Sequence, residues 1–188
     1  MIQDSGTRRE FESGAVRDIQ EGKGRCDLLP LDVVCKLIHD DYLTGDDILR
    51  FIGEYMETGE INNVYNAIYA FINEYDKNFD GDIYTAILEV AKHYEEGCNK
   101  YGERNWQKGI PAHCYVDSGV RHYLKHLRGD TDERHDRAFI WNMLGLIWTV
   151  THKPDLNDLP FNEPPKSLAV SVEEMNKSVN KLAKVLHG

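Results

Sequence analysis

Apolar positions recur at helical spacing along most of this chain and stop at glycine and proline. Leu31, Val34, Cys35 and Ile38 share one helical face. A second helix carries Ile48, Phe51, Ile52 and Tyr55. Thr44 is its expected N-cap, with Asp47 three residues on, and Gly59 is its stop. Ile61, Val64, Tyr65, Ile68, Ile72 and Tyr75 predict a third. Ile83 to Lys100 reads as a long helix striped by Ile87, Val90, Ala91, Tyr94 and Cys98. Gly102, Gly109 and Pro111 then mark a loop, and Ala112 to Arg128 reads as a helix closed by Gly129. Asp132 to Thr151 predicts a strongly apolar helix. Four of the six prolines fall in 153–166, a linker, and Ser171 to Leu186 reads as a last amphipathic helix. Residues 1–30 keep no period, and no stretch alternates like a strand. The expected fold is all-α. It comprises an irregular Arg/Gly-rich arm (1–30), a small helical insertion (31–82), a helical core (83–152) and a Pro-rich linker with a C-terminal helix (153–188).

A hydrophobic content of 41% in 188 residues fits a folded globular chain. The net charge of −10 opposes binding to nucleic acid or to anionic membrane, so neither is an expected partner. No apolar run reaches the ~18 residues of a membrane span. The opening residues Met1-Ile-Gln-Asp-Ser-Gly carry no basic-then-apolar leader, so a cytoplasmic protein is expected. Cys26, Cys35, Cys98 and Cys114 fit no zinc spacing and read as reduced thiols. The apolar stripe of the last helix needs a partner, which predicts a homodimer or a higher homo-oligomer.

Candidate chemistry concentrates in three consecutive helices and one loop. Five of the eight histidines lie between His93 and His135, and all three tryptophans between Trp106 and Trp148. On the first helix Glu89, His93 and Glu96 share a face, and Glu95 sits about 100° away. Carboxylates aimed into a bundle hold hard divalent cations; the alternative is a solvated charged face. On the second helix Asp117, Arg121, Lys125 and Arg128 form one stripe flanked by His122 and His126. Such a stripe can grip phosphate oxygens or form surface ion pairs. The third helix places Asp132, His135 and Asn142 in line, and Asn142 in an apolar run needs a hydrogen-bond partner. The loop Lys100-Tyr-Gly-Glu-Arg-Asn-Trp sets Lys100, Asn105 and Trp106 together, which suits stacking and edge bonds to a base. Asp76-Lys-Asn-Phe-Asp-Gly-Asp-Ile resembles the start of an EF-hand, but position twelve is Ile87 where a bidentate Glu is required. Asp76–Asp82 therefore reads as an Asx/Gly turn rather than a Ca2+ site.

Several passages carry a family resemblance. They are Thr7-Arg-Arg-Glu-Phe-Glu-Ser-Gly-Ala-Val-Arg-Asp, Glu21-Gly-Lys-Gly-Arg-Cys-Asp, Tyr94-Glu-Glu-Gly-Cys-Asn-Lys-Tyr-Gly-Glu-Arg-Asn-Trp, Asp117-Ser-Gly-Val-Arg-His-Tyr-Leu-Lys and Asp132-Glu-Arg-His-Asp-Arg-Ala-Phe-Ile-Trp-Asn. These are similar to phage and prophage proteins of the dATP/dGTP diphosphohydrolase domain family, relatives of the all-α MazG-like pyrophosphohydrolases. The resemblance implies Mg2+-dependent hydrolysis of a purine deoxynucleoside triphosphate to monophosphate and pyrophosphate. The Glu-Glu-x-x-Glu pattern of the better-known enzymes stands here as Glu95-Glu96 followed by Asn99, and the nearest match to Glu-x-x-Asp is Glu133–Asp136.

The resulting expectation has four parts. Glu95, Glu96, Asp132 and His135 hold Mg2+, or Mn2+ in its place. Asp117, with Glu95, activates water. Arg121, Lys125 and His122, with Arg17, Lys23 and Arg25 from the arm, hold phosphates. Lys100, Asn105, Trp106 and Asn142 address the rest of the nucleotide. The alternative is a sponge-like phage protein that binds a nucleotide or nucleotide signal without cleaving it.

Overall fold

The computed structural model describes residues 6–20, 23–29, 46–75, 78–79 and 81–160. The helix expected at 31–38, Thr44, residues 76, 77 and 80 of the Asp76–Asp82 turn and the C-terminal helix lie outside them. The fold is all-α, with one small sheet. Among the described residues five helices form: α1 (Asp47–Thr58), α2 (Asn62–Ala70), α3 (Ile83–Tyr101), α4 (Ala112–Arg128) and α5 (His135–His152). A π-helical turn, Phe71–Tyr75, continues α2. None of these helices is long and apolar enough to cross a membrane.

The arm corrects the expectation of no strands. Arg8–Glu10 (β1) and Val16–Asp18 (β2) form an antiparallel hairpin in which Arg9 faces Arg17. Strands of three residues are too short to show alternation in sequence. Gly14, at φ 75°, permits the turn between them, and Phe11 N–H donates to Ala15 O at 2.9 Å.

Helix boundaries follow local chemistry. Asp46, rather than Thr44, caps α1: its carboxylate accepts from Leu49 N at 2.9 Å and from the Tyr123 hydroxyl at 2.5 Å, fully buried. Gly59 ends α1 in the left-handed region, as its position predicts. Asp82 caps α3 through Tyr84 N and Thr85 N. Gly129 closes α4 with Asp130 N–H donating back to Lys125 O at 3.0 Å, a Schellman-type closure. That closure redirects the chain, and α5 starts at His135 instead of Asp132.

The core is continuous from Ile48 to Leu159. Phe71 packs on Phe139 (ring centroids 4.7 Å), Tyr123 (6.0 Å) and Phe79 (6.4 Å), so residues 46–75 share the core of α4 and α5. Helices α4 and α5 form the most extensive pairing. Gly119 lies under Met143 and Gly145 under the Tyr115 ring, close enough that a Cβ at either would overlap the neighbour. Cys26, Cys98 and Cys114 are free thiols, and Cys35 lies outside the described residues.

Two predictions follow from this packing. Gly145→Ala gains about 1 kcal/mol of helix propensity but forces the buried Tyr115 ring aside, at about 1–3 kcal/mol. The overlap wins, so the urea midpoint falls with its slope unchanged; a raised midpoint would exclude the close crossing. The second concerns the start of α4, where His113 Nδ1 donates to the Asp158 carboxylate at 2.5 Å. That bond, aided by Cys114, raises the imidazole from 6.5 to about 10. A raised folded value means its stabilisation is full below about pH 6.5 and is lost as pH rises toward about 10. The stability gap between wild type and His113→Gln should therefore shrink from pH 6 to pH 10 in thermal unfolding. A gap that stays constant would contradict the pairing.

Candidate functional site

A cavity of about 1070 Å³ opens between the hairpin, α3, the 3-10 turn Asn105–Lys108, α4 and α5. That is the size range of small-ligand and cofactor sites, at its upper end. The arm forms one wall, and four contacts hold it there. Asn105 pairs with the backbone of Val16 in both directions, donating to its O at 2.8 Å and accepting from its N at 2.9 Å. Ser13 donates to Gly109 O. Arg121 donates to Lys23 O (3.0 Å) and Gly24 O (3.1 Å). Asp117, only 3% exposed, accepts from Gln20 Nε2 (2.8 Å), Cys26 N (2.6 Å) and the Arg121 guanidinium.

These contacts change what several expected site residues do. The Asp117 carboxylate, expected to activate water, lines the cavity but is taken up by three donors. Arg121 and Asn105 also line it while clamping the arm. Asn142 accepts from Arg17 Nη2 (3.0 Å) and donates to Ala138 O (2.8 Å), which satisfies its buried amide. Trp106 lines the cavity edge-on to Trp148 at 4.9 Å and to Tyr94 at 5.5 Å. Lys23 pairs with Asp18 (2.7 Å) and Lys125 with Asp132 (2.8 Å), both at the cavity wall. Arg25 pairs with Asp27 and Lys100 lies 5.1 Å from the Tyr101 ring; neither lines the cavity.

Arg17 enters the cavity from the arm. Its guanidinium donates to Cys114 O (3.0 Å) and to the Asn142 side chain, both neutral oxygens. It also lies 5.5 Å from the Tyr115 ring and 5.7 Å from that of Trp141. Trp141 and His93 are cavity residues that the sequence reading left out. Burial, with the Arg137 charge behind it, holds the His93 imidazole down at about 4, so the ring is neutral near pH 7. The signal for both was present: His93 shares the face of Glu89 and Glu96, and Trp141 directly precedes Asn142. Arg104 is a further cavity residue, held at φ 55° where non-glycine residues are uncommon.

The four expected Mg2+ ligands do not gather at one point. Glu95 is on the cavity wall, exposed. Glu96 receives Arg137 Nη2 at 3.4 Å and lies outside the lining. Asp132 receives Lys125 and the His135 Nε2 atom (2.7 Å), and His135 is buried. Mg2+ demands a nearly octahedral shell of oxygens at about 2.0–2.1 Å. Among the described residues, no set of three potential ligands drawn within 4.8 Å includes Glu95 or Glu96. The quartet therefore does not fit one Mg2+ site.

Residues 79–159 match the family described as dATP/dGTP diphosphohydrolase, N-terminal. The match supports the resemblance read from the passages starting at Tyr94, Asp117 and Asp132, and it spans a little under half of the chain. The cavity walls from α3, α4 and α5 lie inside the matched segment, and the arm lies outside it. No curated protein and no solved structure matches the chain.

Removing the Asn105 clamp tests the arm's attachment. Asn105→Ala loses two hydrogen bonds, each contributing about 0.5–1.5 kcal/mol. Limited trypsin cleavage at Arg8, Arg9 or Arg17 should quicken roughly tenfold, with helical circular dichroism unchanged. Equal cleavage rates would show that the arm is held by other contacts.

Proposed function

We propose that the chain hydrolyses a purine deoxynucleoside triphosphate, dATP or dGTP, to the monophosphate and pyrophosphate. The observation that carries this reading is Arg17: a guanidinium in the wall of a large cavity, hydrogen-bonded, among the described residues, to neutral oxygens and backed by aromatic faces. A positive charge without a carboxylate beside it in a half-enclosed cavity calls for an anionic ligand. Lys23 on the arm and Lys125 on α4, each already beside a carboxylate, line the cavity as well, so the phosphates lie across the arm and α4. Tyr94, Tyr101, Trp106 and Trp141 offer the planar surfaces a purine needs. The family match favours the same substrate class.

Glu95 is the general base of this scheme, because Asp117 is spent on the arm. Water attacks the α-phosphorus, the bond to the bridging oxygen breaks, pyrophosphate leaves, and the water proton passes to the Glu95 carboxylate and on to solvent. Mg2+ enters only as the counterion the triphosphate brings with it, since the expected quartet does not converge. A second reading, binding without turnover, is favoured by the same engagement of Asp117, which leaves the cavity few free acids.

The test is incubation of the full chain with dGTP or dATP and Mg2+, with separate detection of pyrophosphate and orthophosphate. Pyrophosphate and the monophosphate are expected. Glu95→Gln should lower kcat by about 10²–10⁴, and Arg17→Met should raise KM about tenfold or more. Tight binding by calorimetry with the triphosphate recovered intact would replace hydrolysis with sequestration. Neither binding nor turnover would refute both.

A further inference from the structure

The chain places two imidazoles and a carboxylate at one point of the cavity wall. His122 on α4 and His135 at the start of α5 face each other with Nδ1 atoms 3.0 Å apart. Glu133 Oε1 lies 3.3 Å from His122 Nδ1 and 3.6 Å from His135 Nδ1. This grouping exists because α5 starts at His135: Glu133 is in the loop before the helix, free of helical geometry, and its carboxylate swings between the two rings.

The tautomer of His135 is fixed from behind. Its Nε2 meets Asp132 Oδ1 at 2.7 Å, and Asp132 is itself held by Lys125. A carboxylate takes a proton-bearing nitrogen, so Nε2 carries the hydrogen and Nδ1 presents its lone pair to His122 and Glu133. Carboxylate-backed histidine is the usual outer-shell arrangement of a metal-binding imidazole. His135 is 2% exposed, so the ring cannot swing out to water.

The triangle has the dimensions of a coordination face. Ligands at about 2.0–2.1 Å around a tetrahedral ion lie about 3.3–3.4 Å from one another. The three edges here are 3.0, 3.3 and 3.6 Å. Two nitrogens and one carboxylate oxygen suit first-row transition metals, whereas Mg2+ prefers oxygen alone. His122 and Glu133 both line the main cavity, so the open side of the triangle faces it.

The geometry points to a transition-metal site, of the zinc class, formed by His122, Glu133 and His135, with Asp132 orienting His135 and the fourth coordination position open to the cavity. A water or a phosphate oxygen of a bound ligand would occupy that position. The site stands whether the cavity cleaves its nucleotide or only holds it. It also accounts for the failure of the Mg2+ quartet to gather: His135 and Asp132 belong to a nitrogen-rich site that Glu95 and Glu96 do not reach.

The test needs no substrate. The full chain, stripped with chelator and checked by circular dichroism, is titrated with Co2+ and separately with Zn2+. One ion per chain is expected, with visible d–d bands of four- or five-coordinate Co2+ that Zn2+ displaces and millimolar Mg2+ does not. Glu133→Gln and His122→Asn, read on folded protein, should weaken Zn2+ binding 100-fold or more. Asp132→Asn should weaken it 10- to 100-fold. A folded wild type without d–d bands or binding heat would overturn the site. So would binding left intact by both ligand substitutions, or near-ultraviolet thiolate-to-cobalt bands that assign the ion to cysteine.

Discussion

Asp117 sits at the base of the arm with its carboxylate buried, accepting from Gln20, from the Cys26 backbone and from Arg121. A charge in that position is tolerable only because every oxygen is hydrogen-bonded and a guanidinium lies against it. The same guanidinium reaches on to two arm carbonyls. One ion pair on one turn of α4 thus fixes the arm at Gln20, at Lys23–Gly24 and at Cys26. Asn105 and Ser13 add their clamps on the hairpin, and Ala15 ties it into the core, so the wall that presents Arg17 is built jointly by α4 and the 3-10 turn.

The division between holding and binding runs through single residues. Arg121 and Asn105 line the cavity while spending their donors on the arm, so they shape the site more than they offer groups to a ligand. Arg17 does the reverse. It is anchored by two neutral oxygens and keeps its whole charge for the interior. On α4 and α5 the same economy appears at Asn142, which both fixes Arg17 and satisfies the carbonyl of Ala138.

Helical periodicity located the helices, and Gly59 and Gly129 mark real left-handed ends, but it misread the buried face of α3: Ala86, Val90 and His93 are buried, whereas the expected Ile87, Ala91 and Cys98 are exposed, because the face of α3 that meets α5 includes a histidine. The hairpin was not legible, because strands of three residues show no alternation and its docking rests on Asn105, 89 positions from Val16. The location of the cavity could be read from the clustering of histidine and tryptophan between positions 93 and 148. The roles inside it could not. Whether Asp117 or Arg121 meets a ligand or the arm is decided by three-dimensional contacts that spacing along one helix does not encode. The start of α5 illustrates the same limit. Acids at 132 and 133 look like a first helical turn, yet the Schellman closure at Gly129 leaves them in a loop.

The arm's dependence on distant helices has a consequence for how the molecule is made. Arg17 is synthesised well before Asn142, its partner on α5. At about 5–20 residues per second, the interval is roughly 6–25 s. The other residues that hold the arm, from Asn105 to Arg121, also follow it in the chain, so they become available one after another within that interval. The cavity is therefore completed from its oldest part last.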